Sequence, residues 1–161
     1  MKNTIKVLAE PGKQELFITR EFDAERELVF RAFTEPELLS IWFLPKEQKM
    51  RIGYMDCKAG GAYRFIMPGQ DGNEVGISGV MHEVLAPERI IRTFEYEGLP
   101  ERGHVALQKI LFAALPGEKT MVTIHYICES VGYRDGLVNS GMEAHSVVVY
   151  NNLDELLLKG L

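Results

Sequence analysis

The segment GMEAHSVVVYNNLDELLLK, residues 141–159, decides the fold because its apolar and small residues recur with helical spacing. Counted from the methionine, they stand at i, i+4, i+7, i+11, i+14 and i+15. They are Met142, Ser146, Val149, Leu153, Leu156 and Leu157. This spacing places them on one helix face and predicts a long helix from about Ser140 to Lys159. Gly136 and Gly141 interrupt the preceding segment, which predicts a short helical turn near Tyr133–Val138.

Six β-rich runs precede this helix and alternate with short turn signals. They are Met50–Cys57, Ala62–Met67, Val75–Leu85, Arg89–Tyr96, Val105–Leu115 and Lys119–Glu129. Gly60-Gly61, Ala86-Pro87 and Pro116-Gly117 are typical of the turns between them. Short connections between successive strands predict an antiparallel meander.

The N-terminal part adds one strand and two short helices. Residues 1–15 are polar and are interpreted as a lead-in that is partly extended. Residues 16–22 alternate between apolar and polar side chains, which predicts a strand. Helical spacing predicts a helix over residues 24–33 and a second one that runs through Trp42 and ends at Pro45.

Together these elements predict one α+β domain over residues 1–161. A curved, seven-stranded antiparallel sheet wraps around the long C-terminal helix, and two short helices follow the first strand. The apolar face of the sheet must be covered, and the helix stripe is the obvious cover. A strongly curved sheet on one helix encloses more space than the helix side chains fill, so we expect an internal apolar cavity.

The composition excludes several classes of protein. The chain has 161 residues, a formal net charge of −5 and 46% hydrophobic residues, unlike a disordered or disulfide-rich chain. The acidic balance and scattered Lys and Arg residues argue against a nucleic-acid partner. No apolar run has the length of a membrane span or signal peptide, so we expect a cytoplasmic protein. Cys57 and Cys128 form no CxxC motif, as expected of free thiols.

Several short motifs together resemble a known family. They are ITREFDA at 18–24, VFRAFTEP at 29–36, WF at 42–43 with Pro45, GGAYRF at 60–65, DGN at 71–73, GVMHEV at 79–84, PER at 87–89 and GME at 141–143. In this order they are similar to the activator of Hsp90 ATPase homologue 1-like (AHSA1-like) family, over residues 5–159. Each motif is weak alone, but the set is specific for the family.

The resemblance implies a helix-grip fold like that of START domains and of the birch-pollen allergen, the Bet v 1-like fold of the SRPBCC superfamily. Members of this superfamily generally hold a hydrophobic ligand between the sheet and the long helix. Bacterial single-domain members mostly lack an assigned reaction. Eukaryotic relatives that stimulate Hsp90 carry this module as one part of a larger protein. Because we expect no second domain here, the resemblance does not extend to Hsp90 activation.

The chain departs from the family pattern at the start of the last helix. The family commonly has Gly-Met-Glu-Glu-Gly-Trp there, whereas residues 141–146 end in Ser146 in place of the Trp. A missing indole leaves room of the order of a hundred Å³ unless Val149 and Tyr150 fill it. This departure predicts a larger or differently shaped cavity.

Inward-facing aromatic residues, methionines and the helix stripe are the candidate lining of the cavity. The predicted lining is Trp42, Phe43, Tyr63, Phe65, Met67, Phe94, Tyr96, Phe112, Tyr126, Met142, Ser146, Val149 and Tyr150. For each residue, packing in a solid core is the alternative interpretation. Arg20 shares an apolar strand face with Ile18 and Phe22, and such a charge needs a partner. It is either a polar anchor for a ligand carboxylate or phosphate, or the structural partner of Glu83 or another acid.

The sequence contains no motif for catalysis, a metal or a cofactor. His82, His104, His125 and His145 are dispersed, and no HExxH, Walker or GxGxxG pattern occurs. The leading hypothesis is therefore binding of a small hydrophobic molecule, lipid-like or aromatic, with no catalytic residue, metal or cofactor. One alternative is a cavity enzyme of the cyclase or hydrolase type, which His82 or His125 beside an acid in the cavity would favour. The other is a co-chaperone-like interaction module, and a homodimer through an open sheet edge also stays open.

Overall fold

The computed structural model describes residues 3–69 and 71–161, which form one antiparallel sheet and four helices. The strands are β1 (Lys6–Leu8), β2 (Glu15–Phe22), β3 (Arg51–Met55), β4 (Ala62–Pro68), β5 (Glu74–Leu85), β6 (Arg89–Tyr96), β7 (Val105–Leu115) and β8 (Lys119–Ile127). The helices are α1 (Arg26–Thr34), α2 (Pro36–Trp42), α3 (Val131–Asn139) and α4 (Met142–Leu158). Among these helices, none is long and apolar enough to cross a membrane.

The strand order β1-β2-β8-β7-β6-β5-β4-β3 confirms the predicted fold class. The strands β3 to β8 form a meander, and β2 extends the sheet by pairing with β8. The number of strands differs from the prediction, because the described sheet has eight strands instead of seven. The additional strand, β1, lies in the predicted lead-in and pairs with residues 17–19 of β2. It covers the edge of β2 that would otherwise present unpaired backbone groups to solvent.

Alternation along the strands gives the sheet one buried, concave face. On β2 the buried side chains are Leu16, Ile18, Arg20 and Phe22, with half-buried residues between them. The pairing of β3 with β4 and that of β5 with β6 each contain a register shift, between Ile52 and Tyr54 and between Met81 and Glu83. Such bulges increase local bend and twist. They therefore help the sheet to curve around the helices.

The helices α1 and α2 fill one end of the concave face with a solid aromatic core. Trp42 is buried, and its indole N–H donates a hydrogen bond of 2.9 Å to the carbonyl of Ala32. The ring of Phe33 lies 4.8 Å from the indole and 5.2 Å from the ring of Phe112, measured between centroids. These contacts close this end of the sheet, and Phe33 and Trp42 form part of the border between the aromatic core and the open space under α4.

The long helix α4 crosses the concave face as the sequence predicts. Leu153 and Leu157 in its second half are buried in the core. The backbone of α4 approaches those of α1, α2 and α3 over more residues than that of any strand, so side chains span the gap to the sheet. Where the side chain is small, as at Ser146, space remains.

The helix α3 is longer than the predicted turn and begins earlier in the chain. The Ser130 hydroxyl caps its N-terminus by accepting a hydrogen bond from the Tyr133 backbone N–H at 3.0 Å.

Candidate functional site

A pocket of about 920 Å³ lies between the concave face of the sheet and the first half of α4. Inward-facing residues of β4 to β8 form its floor, and α3 and α4 form its roof. Residues 99–101 of the β6–β7 loop and His104 lie along its rim, opposite Tyr133 on α3. The wall toward α2 is aromatic, with Trp42 and Phe43. The lining is therefore mostly apolar, with polar side chains from the β6–β7 loop and α3 among it.

Most residues of the predicted lining do border this pocket. They are Trp42, Phe43, Met67, Phe94, Tyr96, Tyr126, Met142, Ser146, Val149 and Tyr150. The edge-to-face contact between Phe94 and Tyr126, 5.6 Å between centroids, fixes part of the floor. The stripe of α4 thus has two roles, because its first half borders the pocket and its second half packs in the core.

Three residues of the predicted lining lie outside the pocket, in the solid core. Phe112 packs against the rings of Phe30 and Phe33, which α1 places over it. Tyr63 and Phe65 face inward on β4, but the guanidinium group of Arg92 lies over both rings, 4.7 Å and 5.9 Å from their centroids. For these three residues the alternative interpretation, core packing, describes their position. Strand alternation predicts which way a side chain faces, but not what covers it.

Arg20 also lies outside this pocket and has a structural role. Its side chain is 3% exposed and forms an ion pair of 2.5 Å with Asp154 of α4. It donates further hydrogen bonds to the carbonyl oxygen of Tyr150 at 2.8 Å and to the side-chain oxygen of Asn151 at 3.2 Å. Of the two interpretations, this is the structural pair, with Asp154 as the acid. Glu83, the acid suggested by sequence, instead pairs with Arg89.

A row of three polar side chains crosses the pocket floor on adjacent strands. Arg92 of β6 is the register partner of Gln108 of β7, which in turn is the register partner of Tyr126 of β8. The Nε–H of Arg92 donates a hydrogen bond of 2.6 Å to the side-chain oxygen of Gln108. Burial raises the pKa of Tyr126 to about 12, with the Arg92 charge and the Gln108 side chain acting in the opposite direction. The tyrosine is therefore a neutral hydroxyl at physiological pH.

Arg92 is the unusual member of this polar row. It is 4% exposed and borders the pocket, yet it forms no ion pair within the described residues. Its hydrogen bond to Gln108 is its only one there, so its two terminal nitrogens are unpaired. Buried arginines normally pair with a carboxylate, because an isolated buried charge is costly. The pocket therefore contains a cation whose counterion the described residues do not supply.

Three hydroxyl groups that border the pocket also lack hydrogen-bond partners among the described residues. Those of Ser146 and Tyr150 lie on α4, and that of Tyr133 lies on α3. Burial raises the pKa of Tyr133 to about 12 and raises that of Tyr150 still further. All three are neutral groups able to donate or accept a hydrogen bond. They could orient a bound molecule.

A histidine between carboxylates lies at the rim of the pocket. The Nδ1 of His104 is hydrogen-bonded to Glu129, and its Nε2 lies 3.6 Å from a carboxylate oxygen of Glu101. The hydrogen bond with Glu129 raises the pKa of His104, and Glu101 adds to this effect. His145, on α4, also borders the pocket, and burial lowers its pKa. His82 is exposed, and His125 pairs with Glu15 on the convex face of the sheet.

Arg92 and Gln108 are not among the residues predicted from the sequence, although strand alternation contains the signal. Arg92 lies on the same strand face as Ile90 and Phe94, and the same kind of argument identified Arg20.

No group of three His, Cys, Asp or Glu side chains in residues 3–69 and 71–161 is placed to hold a metal ion. Both cysteines are free thiols, and burial raises the pKa of Cys128 to about 11.

Comparison with protein families finds one match that spans most of the chain. The family is described as "Activator of Hsp90 ATPase homolog 1-like protein", and it matches residues 23–157. A comparison with curated proteins returns no match.

Solved bacterial structures share the fold. A crystal structure of a Rhodobacter sphaeroides protein aligns with a TM-score of 0.82 at 24% identity, over 96% of this chain and 99% of that chain. A Mycobacterium smegmatis protein aligns with a TM-score of 0.86 at 19% identity, over 98% and 99%. A Silicibacter pomeroyi protein described as AHSA1 aligns with a TM-score of 0.70 at 17% identity, over 91% and 99%. At these identities the similarity shows the fold alone.

Proposed function

The chain belongs to the activator of Hsp90 ATPase homologue 1-like family, and from this premise we propose that it binds a small, largely hydrophobic molecule in the pocket beneath α4. We propose the cytoplasm as the compartment and assign no catalytic step. The single observation that carries the proposal is the pocket itself, about 920 Å³ and bordered mainly by aromatic and aliphatic side chains. Small-molecule sites have this size and this kind of lining.

The energetics of the pocket favour an apolar occupant. Burying about 200 Å² of apolar ligand surface would contribute about 5 kcal/mol, at about 25 cal/mol per Å². The unpaired hydroxyls of Ser146, Tyr150 and Tyr133 add a few points where a polar group of the ligand can be oriented. An apolar body with a small number of polar atoms fits both features.

The two alternative functions have less support. A cavity enzyme needs at least two titratable groups that converge on one reacting atom. His104 is engaged with Glu129 and Glu101 at the rim, so its nitrogens face protein carboxylates. A co-chaperone-like role would be supported if the purified protein bound Hsp90 in a pull-down and changed its ATPase rate.

Ser146 offers a direct test of the binding site. Ser146→Trp places an indole in the pocket, whereas Val148→Trp places the same side chain on the exposed side of the same helix. Lipids, aromatic compounds and polyketides are screened against the natural protein by thermal shift and native mass spectrometry. For any compound that binds, we expect Ser146→Trp to weaken binding by about tenfold or more, and Val148→Trp by less than about twofold.

Two results would overturn the proposal. One is a natural protein that binds no member of the panel. The other is a Ser146→Trp protein that retains the natural circular dichroism spectrum and binds as tightly as before. If the indole prevents folding, Ser146→Leu replaces it, because leucine fills less of the pocket.

A further inference from the structure

We propose that the molecule bound in this pocket carries a carboxylate, and that Arg92 on the pocket floor pairs with it. This inference rests on the proposed function and adds the chemical class of the ligand. The observation behind it is a cation that is 4% exposed, borders the pocket and has no acidic partner among the described residues.

The other two buried arginines show what this protein does with a buried charge. Arg20 pairs with Asp154 at 2.5 Å, and Arg134 pairs with Asp135 at 2.8 Å. Each of them also donates to a backbone carbonyl oxygen. Arg92 is as deeply buried as these two but has a neutral amide as its hydrogen-bonding partner. Since an unpaired buried charge is costly, a ligand that supplies the anion gains the interaction that Asp154 and Asp135 provide elsewhere.

The geometry around Arg92 also fits a carboxylate. The Nε–H is held by Gln108, and the guanidinium plane rests on the ring of Tyr63, 4.7 Å from its centroid. These two contacts fix the group and leave both terminal nitrogens for another partner. A fixed guanidinium fork binds a carboxylate through two parallel hydrogen bonds, which neither an alcohol nor an amide can reproduce.

The rest of the pocket defines the remainder of the ligand. Around the floor arginine, the lining consists of aliphatic and aromatic side chains such as Ile110, Ile124, Phe94 and Val149. At the rim, Glu101 and Glu129 would repel an anion left in that position. The carboxylate is therefore expected at the floor, with the apolar body extending from it. A monocarboxylic acid with an apolar chain or ring has this chemistry.

The test compares two probes that share a chain and differ in the head group. Sodium decanoate and decan-1-ol are titrated into the natural protein by isothermal calorimetry. We expect decanoate to bind about tenfold or more tightly than decan-1-ol, in keeping with the strength of hydrogen bonds to charged groups. In Arg92→Gln this preference should disappear. Arg51→Gln, which removes an exposed arginine of the same sheet, should keep it.

The outcomes separate this inference from the proposed function. Equal binding of both probes by the natural protein, no binding of decanoate, or an unchanged preference in a folded Arg92→Gln protein would each overturn the carboxylate inference. If, in addition, no compound of the wider panel binds, the proposed function fails as well. Should Arg92→Gln not fold, the Arg92 Nε–H resonance of the natural protein is followed by NMR during the decanoate titration. A specific shift supports the pairing, and an unmoved resonance overturns it.

Discussion

Two regions of the concave face, one at β2 and one at β6, differ in the partners of a buried arginine. On β2, the guanidinium of Arg20 is paired with Asp154 and donates to the carbonyl oxygen of Tyr150 from α4. On β6, the guanidinium of Arg92 has only the Gln108 amide and two aromatic rings. The exposed fractions, 3% and 4%, are almost identical. Burial therefore does not distinguish the two arginines, but their partners do.

This difference follows from where α4 approaches the sheet. Around Asp154 the helix brings its own carboxylate and backbone carbonyl to Arg20, so the charge is neutralised within the fold. In the first half of the helix, Ser146 and Val149 border the same pocket as Arg92, and no carboxylate of α4 pairs with this arginine among the described residues. Removing the partner of a charge that is paired within the fold destabilises the fold, whereas a charge left open toward a pocket is available for a ligand.

The largest loss of stability is expected for Asp154→Ala, which removes the ion-pair partner of Arg20 on β2. Removing the carboxylate leaves Arg20 buried without its anion, so the free energy of unfolding should fall by about 3 kcal/mol. Equilibrium urea unfolding measures this loss. The control is Glu35→Ala, which breaks the exposed pair with Arg31 and should lower the free energy of unfolding much less, because solvent screens that pair. Equal losses of unfolding free energy in the two variants would show that the buried Arg20 pair matters no more for stability than an exposed pair.

A smaller change in stability is expected for Arg92→Gln on β6, measured without ligand. The variant loses stacking on Tyr63 but also removes a buried charge that has no counterion among the described residues. We expect the free energy of unfolding to stay within about 1 kcal/mol of the natural value. A loss as large as that of Asp154→Ala would mean that Arg92 serves the fold in the same way as Arg20.

The smallest change in stability is expected for Glu129→Gln, which removes the carboxylate hydrogen-bonded to His104 near the surface. The hydrogen bond raises the pKa of His104 above the ordinary 6.5. A raised pKa stabilises the fold fully at a pH below 6.5, and this contribution is lost as the pH rises through the folded pKa. The Tm of the natural protein should therefore fall more between about pH 6 and about pH 8.5 than that of Glu129→Gln. NMR titration should give His104 a lower pKa in Glu129→Gln than in the natural protein, because Glu101 alone supplies the smaller part of the increase.

Strand alternation and helical spacing predicted the fold class and most of the element positions. The residues of the predicted β6 and β7 match the strands of the structure. The strand β1 was missed because three residues of a polar lead-in carry little pattern, and their pairing depends on β2. The same rules gave the direction of Tyr63, Phe65 and Phe112 but not the side chains that cover them. Coverage depends on where α1 and Arg92 lie in space.

The sequence by itself determined the order of the elements, the apolar stripe of α4 and the faces of the strands, because these depend on periods of two and 3.6 residues along the chain. It also placed the small Ser146 on the stripe. Only the tertiary structure decided that α4 reaches Arg20 with Asp154, whereas Arg92 borders the pocket without a carboxylate partner among the described residues. The physical reason is that pairing a charge requires two groups within a few ångströms, and residues 20 and 154 are brought together only by the folded sheet and helix.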